Sequence, residues 1–414
     1  MTPTYSSQDT PGAGSQITVR VPGASYPIFI EAGLLRRSGE ILRERVAGRK
    51  LFVLSDNTVW KLWGNKLLEG LRPLEPQVIR IPSGEQHKRL ATVEKICEQL
   101  AGGGAERSSV LLAFGGGVLG DIGGFVASIY LRGISYVQIP TTLLAQVDSS
   151  IGGKTGTNLA IGKNLVGTFY QPRLVLSDPA VLRTLPEREL RAGLFEAVKC
   201  AVIGDPDLFE FLMVARRSVL GGNPATLEHV IRACASLKGR VVSQDEREGD
   251  LRRILNFGHT LGHAIEAATD YRRFLHGEAV AWGILAATRL AVRQKLLAPS
   301  EAERIAALVV AYGPVPSLGT LRTAALAPHL SVDKKVRDGQ VHFVLPRKVG
   351  EVVITSGIGV PQALEAMAEL MRLDPFRAIA SKTLPKSRTN ASKSPPAKPK
   401  VDGAKKTRSR AAQP

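Results

Sequence analysis

Three of the seven histidines fall within eighteen residues, in N-F-G-H-T-L-G-H-A-I-E and the H-G-E that follows it. His259 and His263 are four apart, a spacing that on a helix puts two imidazoles on one face, one turn from each other. His276 comes after a Tyr-Arg-Arg turn that can return it to the same place. Clustered imidazoles near carboxylates point to a divalent metal, zinc first. A lone H-x3-H also occurs as polar decoration on surface helices, so the reading depends on what else the chain supplies.

It supplies a glycine turn. Gly115-Gly116-Gly117-Val118-Leu119-Gly120 fits G-x-G-x-x-G, directly after the apolar run V-L-L-A-F and ahead of a helical stretch. Glycines there allow close backbone approach, and the helix start offers N–H groups and a positive dipole to a pyrophosphate. Asp121, Gly123 and Gly124 extend the pattern. No acidic residue ends a strand about twenty positions later, as a standard dinucleotide unit requires. The candidate ribose carboxylate is instead Asp56, at the end of an earlier strand. Between Pro140 and Pro172 lies a Gly/Thr/Ser-rich stretch carrying Asp148, Lys154, Lys163 and Asn164, read as a long functional loop whose lysines can approach phosphate or carboxylate groups. Glu196 and Lys199 sit three apart on a predicted helix with apolar flanks, which argues that both are partly buried and that the carboxylate needs a partner, a metal being a good one.

The elements that must position these groups follow from hydrophobic pattern. Residues 51–55, 78–82, 110–114, 136–140 and 174–178 read as short strands, with helices at 92–100 and 119–130. Alternating β and α units imply a mostly parallel sheet covered by helices. After Pro186 the texture becomes Ala/Leu/Arg/Glu-rich with helical spacing to about residue 373. The expectation is an α/β Rossmann-like NAD-binding domain over 16–185, a mostly helical metal- and substrate-binding domain over 186–373, a disordered leader over 1–15 and a disordered basic tail over 374–414.

Composition sets the limits. A chain of 414 residues can bury two cores. Cys97, Cys200 and Cys234 form no C-x-x-C, which argues against a disulfide scaffold and fits a reducing, cytoplasmic setting. No apolar run reaches membrane-spanning length, and the N-terminus lacks the features of a signal peptide. The net charge is +18, but the last 34 residues hold ten Lys or Arg against one Asp, half of the excess. That excess is a feature of a tail too poor in large apolar side chains to fold, so no specific nucleic-acid partner is expected.

Taken together, the motifs S-G-E-Q-H-K, G-G-G-V-L-G-D-I-G-G-F, Q-I-P-T-T-L-L-A-Q-V-D-S-S-I-G-G-K-T-G, G-K-N-L-V-G, Y-Q-P, G-L-F-E-A-V-K, D-E-R-E, L-N-F-G-H-T-L-G-H-A-I-E, L-H-G-E-A-V and D-K-K closely resemble those of the 3-dehydroquinate synthases, a branch of the sugar-phosphate cyclases. The resemblance spans residues 16–373. It implies conversion of 3-deoxy-arabino-heptulosonate 7-phosphate to 3-dehydroquinate and phosphate, with NAD and one zinc or cobalt ion as cofactors. It implies Glu196, His259 and His276 as metal ligands, and moves His263 from ligand to substrate phosphate. The positions it matches to NAD are Asp56, the run Ser83, Gly84, Glu85, Gln86, His87 and Lys88, then Gly116, Gly117, Val118, Leu119, Gly120, Asp121, Thr141, Thr142, Asp148, Lys154, Lys163, Thr184 and Leu185. Lys154, Asn164, Asn256, His263 and the lysines Lys334 and Lys335 after Asp333 match phosphate and substrate groups, with Lys199 beside them. Lys238 and Arg252 match a pair that holds the substrate carboxylate. Arg132 matches a residue that reaches the partner subunit's site, which implies a homodimer. Asp250 and Val332 depart from the usual pattern without removing a functional group.

Two other enzyme classes share parts of this set. A cyclase acting on sedoheptulose 7-phosphate or glucose 6-phosphate has no carboxylate to bind and no use for the Lys238/Arg252 pair. A metal-dependent polyol dehydrogenase has no use for so many cations at the substrate end.

Overall fold

In a computed structural model, residues 16–46, 49–332, 336–337 and 340–377 are described below. The leader, the tail from residue 378 on and Asp333-Lys334-Lys335 lie outside them; residues 374–377, read from the sequence as part of the disordered tail, belong to the fold instead, because Phe376 is buried against Trp282.

The first half is built on a seven-stranded sheet. Its strands are β1 (Ile17–Val21), β2 (Ala24–Ile30), β3 (Leu51–Asp56), β4 (Gln77–Ile81), β5 (Val110–Gly115), β6 (Ser135–Pro140) and, after an inserted hairpin, β9 (Val175–Ser177). The helices between them are α1 (Ser38–Val46), α2 (Asn57–Leu71), α3 (Leu90–Gly102) and α4 (Gly117–Ile129). The order is β1-β2-β9-β6-β5-β3-β4, parallel except where β1 folds back on β2. β3 and β5 are buried along almost their whole length, as apolar strands covered on both faces must be. Chain order reverses between β3 and β5, so their carboxyl ends flank the crevice where open α/β sheets bind ligands.

The stretch between Pro140 and Pro172 is not the long loop its composition implied. One π-helical turn (Ala145–Ser149) leads into an antiparallel hairpin, β7 (Lys154–Leu159) and β8 (Gly162–Phe169). Glycine makes the pairing possible: a Cβ on Gly167 would lie 2.0 Å from Thr155 O. β8 is half exposed along its length, so its Gly/Lys/Asn composition carries no apolar alternation to read.

The second half is largely helical: α5 (Glu187–Gly204), α6 (Pro206–Val214), α7 (Arg216–Leu220), α8 (Pro224–Gln244), α9 (His259–Ala268), α10 (His276–Arg293), α11 (Pro299–Ala311) and α12 (Ala327–Val332). Then come the short β10 (Val336–Arg337) and β11 (Gln340–Val341), a hairpin of β12 (Phe343–Lys348) and β13 (Glu351–Thr355), and α13 (Val360–Leu373). The helical texture read for this half missed these strands: β10 and β11 are two residues each, and β12 and β13 show no alternation of buried and exposed positions. α10 is its axis, buried along nearly every face and packed on α5, α9, α11 and α13.

Glycines set how close the helices come. A Cβ on Gly283 would lie 1.8 Å from Gly258 O, and one on Gly262 would lie 3.2 Å from Ala279 O, so α9 nests into α10. A Cβ on Gly277 would lie 1.9 Å from Ala192 O, so the start of α10 rests on the backbone of α5. On the sheet side, Gly120, Gly123 and Gly124 of α4 leave room for Gln138, Ala113 and Thr155.

Candidate active site

Those glycine contacts assemble the histidine cluster. His259 opens α9 just after Gly258, which takes the left-handed conformation (φ +76°), and His276 opens α10. The ligand atoms of His259, His263 and His276 all lie within 4.8 Å of one another. Glu196, fully buried on α5, completes the group: its Oε1 is 3.4 Å from His276 Nε2 and 3.7 Å from His259 Nε2.

The hydrogen bonds select which nitrogens face inward. His259 Nδ1 is 3.1 Å from Phe257 O, so it carries the proton and donates there, leaving the Nε2 lone pair toward Glu196. His276 Nδ1 is 3.1 Å from Glu266 Oε2, which turns its Nε2 to Glu196 in the same way. Lys199 Nζ lies 2.5 Å from Glu196 Oε2 as an ion pair, yet neither Glu196 oxygen receives a hydrogen bond of ordinary geometry. A buried carboxylate facing two imidazole lone pairs calls for a cation. Zinc bonds of about 2.0–2.1 Å at the tetrahedral angle put neighbouring donors roughly 3.3–3.4 Å apart, close to the separations found. Burial alone would lower the His276 pKa, but Glu266 and Glu196 outweigh it and raise it to about 10, so positive charge at this ring is favoured, whether from a proton or from a metal that replaces it.

A row of buried charges leads from this cluster to the sheet. Lys199 Nζ is 3.7 Å from Asp148 Oδ1 as well as 2.5 Å from Glu196. Asp148 in turn accepts from Lys238 Nζ at 2.8 Å through its carboxylate and 2.6 Å through its carbonyl. Burial pushes the Asp148 carboxyl up, but Lys238 and Lys199 hold it far below the usual carboxylate range. Lys238 is lowered from the ordinary lysine value, first by burial and then by Arg252, with Asp148 opposing. Lys238 and Arg252 are like charges that disfavour each other, an arrangement an anion would relieve.

Arg252 is 2% exposed, with Nη2 donating to Gly152 O at 2.9 Å and Nη1 donating to Glu246 O. It ties the loop ahead of β7 to the D-E-R-E loop. Lys154 is paired with Glu248, and Asn256 Nδ2 donates to the same carboxylate at 2.7 Å. Lys163 lies 3.8 Å from Glu266 and 4.4 Å from the centre of the Tyr271 ring.

The glycine turn sits at the carboxyl end of β5, with Gly116 capping α4 and no side chain bonded to the cap. A Cβ on Gly116 would meet Thr142 at 2.9 Å and one on Gly117 would meet Ser149 at 2.8 Å, so the turn is closed on one side. Val118, Leu119 and Gly120 belong to the first turns of α4, and Leu119 and Gly120 are buried in its packing face. Asp56 ends β3 immediately beside the turn, since Ser55 pairs with Phe114. The adjacent strand thus places a carboxylate beside the glycine turn. Its Oδ1 accepts from Thr58 N, Val59 N and Ser83 Oγ at 2.9, 3.0 and 2.6 Å. Gly84 turns the chain at φ +114°, and Glu85, Gln86 and His87 form one 3-10 turn. Glu85 then accepts from Asn158 at 2.7 Å, and Lys88 bonds Asp121 and Asn164 at 2.5 Å each. Thr141 is buried with its hydroxyl unpaired, and Thr142 caps the π turn through Ala145 N at 3.2 Å. Thr184, which accepts from Trp63 Nε1 at 2.8 Å, ends a second 3-10 helix (Pro179–Thr184), and Leu185 is its C-cap.

Arg132 ends the 3-10 turn that follows α4 (Tyr130–Arg132) in a left-handed conformation (φ 67°), next to Leu131, itself at φ 50° and exposed. No contact ties it to the cluster within the described residues of one chain. Two partners of site residues went unread in the sequence, Glu248 and Glu266. Glu266 stands three residues after His263 and resembles an ordinary surface pair; only the turn that returns His276 makes it a partner.

Two sequence profiles match the chain, 3-dehydroquinate synthase N-terminal over residues 78–192 and 3-dehydroquinate synthase C-terminal over 193–336, together more than half of it. A 3-dehydroquinate synthase of Solibacter usitatus is 47% identical over 349 residues, covering 84% of this chain and 97% of that protein. Among solved structures, 2-epi-5-epi-valiolone synthase from Streptomyces hygroscopicus, with NAD+ and Zn2+ bound, superimposes with TM-score 0.78 at 32% identity over 86% of this chain and 99% of that one. 2-Deoxy-scyllo-inosose synthase, complexed with carbaglucose-6-phosphate, NAD+ and Co2+, gives 0.77 at 28% identity with the same coverage. With both halves matched and close relatives covered almost end to end, the chain belongs to the 3-dehydroquinate synthase family.

Proposed function

We propose that this chain converts 3-deoxy-arabino-heptulosonate 7-phosphate to 3-dehydroquinate and phosphate, on a site made of Glu196, His259 and His276 for one divalent metal and the Asp56/Gly115–Gly120 crevice for NAD+. The observation that carries the reading is the buried Glu196 carboxylate, without ordinary hydrogen bonds, facing two imidazole lone pairs at 3.4 and 3.7 Å. Three protein ligands leave a position open for substrate hydroxyls, as a Lewis acid requires, and zinc or cobalt suits the N/O donor set. Bound NAD+ supplies a transient oxidation of a substrate alcohol that is reversed within the same cycle.

The remaining groups divide by charge. Lys238 and Arg252, close enough to depress Lys238, face the substrate carboxylate. Lys154, Asn164, Asn256 and His263 gather the phosphate, together with a lysine of Asp333-Lys334-Lys335. Asp148 and Lys199 hold Lys238 and Glu196 in place from behind. Lys88 and Asp121 fix Asn164 and the first turns of α4 to each other, the nucleotide side of the crevice. Arg132 completes the site of a second copy in a homodimer.

Purified protein given NAD+, zinc and the heptulosonate phosphate should release one phosphate per substrate with flat NADH absorbance. Stoichiometric NADH would place the chain among dehydrogenases, and efficient cyclisation of sedoheptulose 7-phosphate would remove the carboxylate role of Lys238 and Arg252.

A further inference from the structure

Lys238 lies on α8 and Arg252 on the 3-10 turn Leu251–Asn256, yet one short segment ahead of β7 holds them both. Lys238 Nζ donates to the carbonyl of Asp148 at 2.6 Å, and Arg252 Nη2 donates to that of Gly152 at 2.9 Å. The separation of the two charges therefore follows the course of the chain from Asp148 to Gly152. That course ends in two glycines of positive φ, Gly152 at +95° and Gly153 at +65°. Glycine enters that region freely and leaves it as freely, so such a turn needs an outside hold to keep one shape. The hold comes from the sheet. Tyr26, on β2 and 1% exposed, accepts the N–H of Gly152 at 3.0 Å through its hydroxyl. Gly152 is thus gripped by Tyr26 at its nitrogen and by Arg252 at its carbonyl. The fit is close: a Cβ there would lie 2.4 Å from Arg252 Nη2.

A buried phenol usually finds a partner, so a hydrogen bond alone would mark only a satisfied core tyrosine. What sets Tyr26 apart is that its partner carries Arg252 on the next carbonyl. We propose that Tyr26 is a positioning residue for the substrate carboxylate, its hydroxyl fixing Gly152 and thereby the separation of Arg252 from Lys238. This rests on the assignment of that pair to the carboxylate. A carboxylate shared by a guanidinium fork and an ammonium must meet both at once, and a displacement of about 0.5 Å spoils such a contact. The carboxylate keeps its charge throughout the reaction. A weakened contact is then lost in ground state and transition state alike, and shows in KM rather than in kcat.

Tyr26→Phe removes one oxygen and keeps the packing of the ring. In the enzyme loaded with NAD+ and zinc, KM for the heptulosonate phosphate should rise about three- to tenfold with kcat within about a factor of two, the range expected for one hydrogen bond. The Kd of inorganic phosphate, measured calorimetrically, should not move. In an Arg252→Lys background the same substitution should raise KM by less than about twofold, because residues acting through one another do not add. Gly152→Ala displaces Arg252 without touching the sheet; it should raise KM as well, and it stands in if Tyr26→Phe does not fold. A Tyr26→Phe enzyme that loses Tm or kcat with KM unchanged would show a structural bond only and overturn the inference. So would a KM increase undiminished by Arg252→Lys, an equal loss of phosphate affinity, or a folded Gly152→Ala enzyme with the wild-type KM. If Arg252→Lys itself leaves KM unchanged, the carboxylate assignment falls and takes the inference with it.

Discussion

The contact between Gly277 and Ala192 gives the sharpest test of how the metal centre is positioned. A methyl group at Gly277 would sit 1.9 Å from the Ala192 carbonyl oxygen and 2.6 Å from its carbon. Both belong to the backbone of α5, so no side chain can rotate away. To reach ordinary contact the start of α10 must retreat by about 1.5 Å. His276 opens that helix, and its Nε2 is 3.4 Å from Glu196, four residues along the same α5 from Ala192. A displacement of that size exceeds the roughly 0.5 Å within which a metal constellation must be held. Overpacking against backbone falls at the upper end of about 1–3 kcal/mol, which for a chain of this size is a Tm drop of roughly 4 °C. Zinc affinity, read by competition with a chelating dye, should fall at least about tenfold, the size of loss seen when a ligand's supporting shell is disturbed. Gly102→Ala is the control: it ends α3 with nothing within 4 Å of the added methyl, so it should be neutral or slightly stabilising. A Gly277→Ala protein with wild-type Tm and zinc affinity would refute the argument that this glycine sets the position of His276. A lower Tm with unchanged zinc affinity would refute the link from helix position to metal.

Three further outcomes are expected. Chelation should abolish turnover and zinc or cobalt should restore it, with His276→Ala losing metal in elemental analysis and His263→Ala retaining it; equal loss from both would reassign the ligands. Arg252→Lys should cost about 1–3 kcal/mol in denaturant titrations, because an ammonium cannot span Gly152 O and Glu246 O and one buried carbonyl loses its donor; an unchanged midpoint would contradict this. Burial pushes the Asp245 carboxyl up, but the N–H groups of Arg252, Asp250 and Gly249 hold it below the usual range. Such a group stabilises the fold above its unfolded pKa, and that contribution is lost as pH falls through the folded value. The Tm advantage of wild type over Asp245→Asn should therefore be full near neutrality and shrink below about pH 4; a constant difference would exclude the carboxylate as its source.

The parallel sheet was legible because β3 and β5 are covered on both faces and read as unbroken apolar runs. The histidine pair on α9 was legible from its spacing. The hairpin of β7 and β8 was not, since glycine and polar residues pair there through backbone contact rather than through an apolar face. Nor were the partners of the site residues. Glu248 and Glu266 gain their meaning from loops that return to the cluster, and nothing in their local spacing marks that. That Asp56 ends a strand was legible, while its place beside the glycine turn, on a neighbouring strand across the point where chain order reverses, required the topology.

Five lysines of the site each rest against a carboxylate of the chain: Lys88 on Asp121, Lys154 on Glu248, Lys163 on Glu266, Lys199 on Glu196 and Lys238 on Asp148. Paired charges are dipoles, whose fields die away faster with distance than those of lone ions. The lysines among the described residues therefore cast little attraction into bulk solvent, and capture of an anionic sugar by them relies on encounter and local exchange of partners rather than on long-range steering. The enzyme's kcat/KM should accordingly vary only weakly with ionic strength, unlike that of an enzyme whose cations form an open electrostatic funnel.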